Sequence, residues 1–191
     1  MRFTRITPNP DKDATATCSA LEMLLGCHAR IRHFVQLSRT LAGAEGVAPK
    51  EVADAADAVF RYFNDALPLH EADENETLYP RLRHATEEGS LVRDAADVMI
   101  EQHKAIDELA AELLSICASL QHHPECLPSL VPRLEHVTLA LEQVFAAHLH
   151  LEETVIFPAL GNVLTAAQLD EMIREMNQRR RPRIRTIHLV Q

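Results

Sequence analysis

HEADENETLYPRL at residues 70–82 and HLHLEETVIFPAL at residues 148–160 share one pattern: a histidine, a glutamate four residues later, then an aromatic residue followed by proline. On an α-helix a step of four residues turns through about 400°, so both side chains lie on one face, a turn apart. His70 and Glu74 therefore form one potential ligand pair, and His148 and Glu152 another. Each copy has a lone histidine upstream, His28 and His103, which lie 75 residues apart against 78 for His70 and His148. The chain reads as two related αα-hairpins.

Apolar residues recur at helical spacing on both sides of these motifs, with no sustained alternation that would mark strands in the body. A first helix is expected from Ser19, which forms a capping box with Glu22. Its apolar stripe of Leu21, Leu24, Leu25, Ile31, Val35 and Leu41 runs to Gly43 and Gly46. A second opens at Pro49 and runs to Ala85, with kinks expected at Pro68 and Pro80. Gly89 and Ser90 precede a third, carrying Val98, Met99, Ile106, Leu109, Leu113 and Ile116 as far as the sequence QHHPECLP. A fourth spans about Ser129 to Leu160. A short fifth begins at Thr165, where TAAQ is another capping box, and its stripe of Leu169, Met172, Ile173 and Met176 suits a helix lying across the bundle or against a partner subunit.

Short connections imply an up-down-up-down, all-α four-helix bundle made of the two hairpins. Its expected bounds are residues 18–161, after an extension at 1–17 and before the fifth helix and basic tail at 162–191. Counted from the expected helix ends, His28, His70, His103 and His148 fall at one level within about a turn. Four imidazoles and two carboxylates buried together are costly unless something pairs them. A pair of metal ions does so. Imidazole with carboxylate, and no thiolate in the set, suits iron or manganese better than a structural zinc. Iron is favoured, because redox chemistry explains keeping such a site in a dry core. His33, His84, His122, His123, His136, His150 and His188 do not share the pattern and read as surface or linker residues. Glu153, about 100° around the helix from Glu152, is set outside the cluster.

The bulk properties agree. A chain of 191 residues that is 47% apolar can bury one sizeable core. The net charge of -9 disfavours nucleic acid and anionic lipid as partners, although RRRPRIR near the end is basic. No apolar run has membrane-spanning length, and MRFTRITPNPDKD lacks the core of a signal peptide, so a cytoplasmic protein is expected. Cys18, Cys27, Cys117 and Cys126 form no CxxC pair and read as reduced, mostly buried residues.

These motifs resemble the hemerythrin-like (HHE cation-binding) family, whose helices carry in order a histidine, HxxxE, a histidine and HxxxE. The likeness covers roughly residues 18–161. It implies two non-haem irons bridged by carboxylates and an oxo or hydroxo group, with His28, His70, His103 and His148 as terminal ligands and Glu74 and Glu152 as bridges. Ferritin-like di-iron proteins use Glu-x-x-His instead, and no glutamate here has histidine three residues later. Oxygen-carrying hemerythrins have a further histidine where this chain has Asp107, and HxxxxD where it has HxxxE. With that change Asp107 is a candidate to orient His103 or hold a water. The resemblance thus implies a small partner molecule (O2, peroxide or NO) in oxidative or nitrosative stress, and leaves turnover open. The alternatives are an iron or redox sensor signalling through the fifth helix and tail, or an iron donor for iron-sulfur cluster repair. A homodimer would form through the fifth helix or the terminal segments.

Overall fold

The computed structural model describes residues 10–44 and 46–181, the first nine of them as backbone only. The terminal segments MRFTRIT and RIRTIHLV, with His188, lie outside the described residues. Five helices follow one another, and no strand occurs among the described residues. Helix α1 is Pro10–Ala42, α2 covers residues 49–85, α3 is Leu91–His122, α4 covers 127–163 and α5 is Ala166–Arg179. A 3₁₀ turn, Pro124–Cys126, joins α3 to α4. The tight connections before α2 and α3 use Gly46 and Gly89 at φ 68° and 76°, in the left-handed region that glycine enters without penalty.

Helices α1 to α4 form a closed ring in which each packs on the next and α4 returns to α1. This is the expected antiparallel bundle. Helix α5 does lie across its own bundle: Leu169, Met172 and Met176 are fully buried against a core containing Ala20, Leu24, Leu78, Leu82 and Met99. That stripe is thereby unavailable to a partner subunit. The capping box at Thr165 forms as expected, with the Thr165 hydroxyl accepting from the Gln168 N–H and the Gln168 side chain accepting from the Thr165 N–H.

Some expectations fail. Helix α1 is already formed at Pro10, the first described residue, so Ser19 lies inside it and caps nothing. Leu25 and Val98, assigned to buried stripes, are 44% and 48% exposed. Of the cysteines with described side chains, Cys27 and Cys117 are buried as expected, but Cys126 is exposed.

The prolines of α2 and α4 do more than bend the chain. Each of Pro68, Pro80 and Pro158 follows a π-helical stretch: Tyr62–Ala66, Asp73–Leu78 and Glu152–Ile156. In each, the residue before proline donates its N–H five residues back, Leu67 to Tyr62, Tyr79 to Glu74 and Phe157 to Glu152. A proline ring crowds the carbonyl four residues earlier, and an extra residue in the turn moves that carbonyl aside.

Two apolar cores result. One contains Ile31, Val35, Val59, Phe63, Ile106, Leu113, Leu141 and Phe145; the other contains Leu24, Leu78, Leu82, Met99, Ile156 and Leu160. Between them, on every helix of the ring, sits a polar layer.

Candidate metal centre

The layer is built by one residue from α1, two from α2, one from α3 and two from α4. His28, Glu74 and Glu152 are 0% exposed, and His70, His103 and His148 are all buried. Two sets of donors converge. His28, His70, Glu74 and Glu152 offer atoms within 4.8 Å of one another, as do Glu74, His103, His148 and Glu152. Both carboxylates belong to both sets.

The distances show how they are shared. Glu74 turns Oε1 to His70 Nε2 at 3.2 Å and Oε2 to His103 Nε2 at 3.1 Å. Glu152 turns Oε2 to His28 Nε2 at 2.9 Å and Oε1 to His148 Nε2 at 3.5 Å. Adjacent ligands of an octahedral ion with bonds of about 2.1 Å are separated by about 3.0 Å. Yet Nε2 of His28, His70 and His103 and all four carboxylate oxygens have no hydrogen-bond partner. Where the imidazoles are neutral and the carboxylates ionised, these contacts bring lone pair against lone pair, an arrangement that a cation relieves.

The titration behaviour agrees with that reading. Burial lowers the pKa of His70 well below its ordinary value, reinforced by His28, His148 and His103, and lowers that of His103 to about 4. Burial lowers His148 as well, against an opposing pull from Glu152. Burial and then the adjacent Glu152 carboxylate raise Glu74 well above the usual range. The metal-free layer favours neutral forms, and a divalent ion would reverse the preference of the carboxylate.

The opposite edges of three rings are held. His28 Nδ1 donates to Glu153 Oε1 at 2.8 Å, His103 Nδ1 to Asn75 Oδ1 at 2.7 Å, and His148 Nδ1 to Gln102 Oε1 at 3.2 Å. Each bond leaves Nε2 as the lone-pair donor facing the layer. His28 also stacks on Phe157, with ring centroids 5.0 Å apart. His70 Nδ1 has no hydrogen-bond partner. Glu153 is fixed by Arg32 at 2.8 and 2.9 Å; burial would raise its pKa, but the hydrogen bonds from His28 and Arg32 outweigh this and lower it.

All six candidate ligands are therefore brought together, and their donor chemistry fits metal ions. Asp107 is not with them. It is exposed, and its carboxylate faces Glu71, whose pKa is raised to about 8 by burial and by Asp107. The role of orienting His103 belongs to Asn75. Glu153, set aside by its helical angle, is the partner of His28. A signal for both was present in the repeat, since Asn75 and Glu153 are the residues directly after Glu74 and Glu152. His33, His84, His122, His123, His136 and His150 are exposed, as expected.

Comparison with known proteins agrees with this geometry. The profile of the hemerythrin HHE cation binding domain matches residues 19–126 and, in a second alignment, residues 94–181. The chain belongs to the hemerythrin HHE cation-binding family. An uncharacterized protein of Haemophilus influenzae is 24% identical over 166 residues, which cover 84% of this chain and 89% of that one. As a hemerythrin HHE domain, the chain is a cation-binding helical bundle, and its buried His/Glu layer is where a cation fits. None of its described helices is long and apolar enough to cross a membrane.

Proposed function

We propose that this chain is a cytoplasmic non-haem di-iron protein that binds or reacts with O2, peroxide or NO. In this reading His28 and His70 hold one iron, His103 and His148 hold the other, and Glu74 and Glu152 bridge the two. The observation that carries it is the sharing of the carboxylates: each turns one oxygen to each histidine pair, and none of those oxygens makes a hydrogen bond. A single ion would leave half of these donors unsatisfied in a dry core.

Iron bound there would supply redox change and, with four protein donors per ion, an open position for a small ligand. The protein's own groups do the rest. Glu153, Asn75 and Gln102 fix three imidazoles in the tautomer that presents Nε2, while the two apolar cores above and below keep bulk water out. Asp107 faces Glu71 instead of supplying a fifth imidazole, which supports a reactive centre over a reversible oxygen carrier.

Elemental analysis of aerobically purified protein is expected to give close to two irons per chain, with visible absorption that changes on reduction. One zinc per chain and no iron would overturn the reading. A second reading, a sensor of metal state, is favoured by one contact: Asp73, buried next to Glu74, is paired with Arg179 of α5 and with Arg180 just beyond it.

A further inference from the structure

The repeat places equivalent residues in equivalent positions, and at one of them the chemistry differs. In each hairpin the residue after the shared glutamate reaches across to hold the lone histidine of the other hairpin. Asn75 on α2 holds His103 on α3, and Glu153 on α4 holds His28 on α1. One partner is an amide; the other is a carboxylate that Arg32 also holds through both oxygens. The remaining supported histidine, His148, also rests on an amide, that of Gln102. Of the three held imidazoles, only His28 donates to an anion.

We propose that Glu153 is a positioning residue for one metal position alone. It adds to the difference between the His28–His70 and His103–His148 positions that His70, with no Nδ1 partner where His148 has Gln102, already makes. An imidazole that donates its Nδ1–H to a carboxylate is a more basic ligand through Nε2 than one donating to an amide, and such partners change metal affinity by about 10–100-fold. The effect falls first on His28, which Glu153 holds directly, and reaches the other position only through the shared carboxylates. Arg32 holds both oxygens of Glu153, at 2.8 and 2.9 Å, and so fixes the carboxylate against the ring. With 53% of its side chain exposed, Arg32 links this position to the solvent.

The inference rests on the two-ion reading above, and the test separates the two. Metal-free protein is titrated anaerobically with Co²⁺, following both the uptake and the visible absorption of the bound ion. Wild type is expected to take up two ions per chain with different spectra. Glu153→Gln keeps an acceptor for His28 but makes it an amide, as Asn75 is for His103. It is expected to weaken one uptake step by about 10–100-fold, change the other far less, and bring the two spectra closer. Asn75→Asp, the converse change, is expected to strengthen the other step. A purely structural role for Glu153 would shift both steps together or lower the melting temperature without separating them, and either result overturns the inference while the two-ion reading stands. Uptake of fewer than two ions by wild type overturns that reading and the inference with it.

Discussion

Without a cation Glu74 is a destabilising residue. Its carboxylate is 0% exposed, neither oxygen has a hydrogen-bond partner, and burial with the neighbouring Glu152 raises its pKa well above the usual range. The unfolded chain releases that proton near pH 4 while the fold retains it, so the penalty is absent below about pH 4 and grows as the pH rises. In Glu74→Gln an amide N–H donates in place of the retained proton, so nothing has to be protonated as the pH rises and no charge is buried. The metal-free variant is therefore expected to melt above metal-free wild type at pH 7.5, by roughly 2–4 °C for each ~1 kcal/mol gained, with the gap closing towards pH 4. Metal-loaded wild type should melt above the variant, because a shared ligand is lost. Calorimetry on both forms checks the crossing, and a variant less stable than wild type in the metal-free state at every pH would show that Glu74 has a structural role. The six convergent side chains were legible in the sequence, because HxxxE spacing and the repeat fix which helix face carries them. The repeat marks Asn75 and Glu153 as equivalent positions but does not assign them, or Gln102, to a ring, since the Nδ1 partner of an imidazole depends on how neighbouring helices are rotated against each other, which spacing within one helix does not specify.

At the scale of the helix, the π-turns carry the argument. Two of the three span the shared glutamates, with Glu152 opening one and Glu74 second in the other, and both end at an aromatic-proline pair. The sequence shows the prolines and predicts kinks. It does not show that the crowded carbonyls of Glu76 and Thr154 are accommodated by an inserted residue, because a kink and a π-turn satisfy the same local rule. The distinction matters to the centre, since one residue more or less in a helix turns everything beyond it by about 100°. Replacing both prolines, in Pro80→Ala/Pro158→Ala, restores two N–H donors and removes the crowding, so both segments can close into regular α-helix. The expected outcome is a metal-free protein at least as stable as wild type whose metal affinity is lower by about tenfold or more. Metal titration with far-ultraviolet circular dichroism tests this, and unchanged affinity would mean that the turns are held by packing and not by proline. Helix α1 gives a similar lesson, since the Ser19–Glu22 pattern lies inside the helix and marks no end of it.

Across the whole molecule, the up-down arrangement and the repeat were readable, but where α5 would settle was not: an apolar stripe says that it must be covered, not by what. The structure covers it with the core that α1 to α4 share at that end of the bundle, and adds polar contacts at one place. Arg179 donates to Asp73 and Thr77, Arg180 pairs with Asp73, and Arg81 on α2 pairs with Glu175 on α5. Asp73 and Thr77 are buried, and both belong to the π-turn that contains Glu74. A ligand residue and the docking site of α5 thus share one short segment, so metal binding and α5 docking are linked, and linkage is reciprocal. Metal is expected to slow amide hydrogen exchange in residues 166–179, although none of them lies in the layer. In Arg179→Ala/Arg180→Ala the Asp73 carboxylate is left buried without its cations, a loss of about 3–5 kcal/mol if nothing relaxes, which α5 can avoid by undocking and letting water reach Asp73. The variant should then surrender metal to a chelator several-fold faster than wild type while its four-helix core stays folded. Equal exchange in α5 with and without metal, together with equal chelation rates in the two proteins, would separate α5 from the centre and remove the basis for a sensor reading.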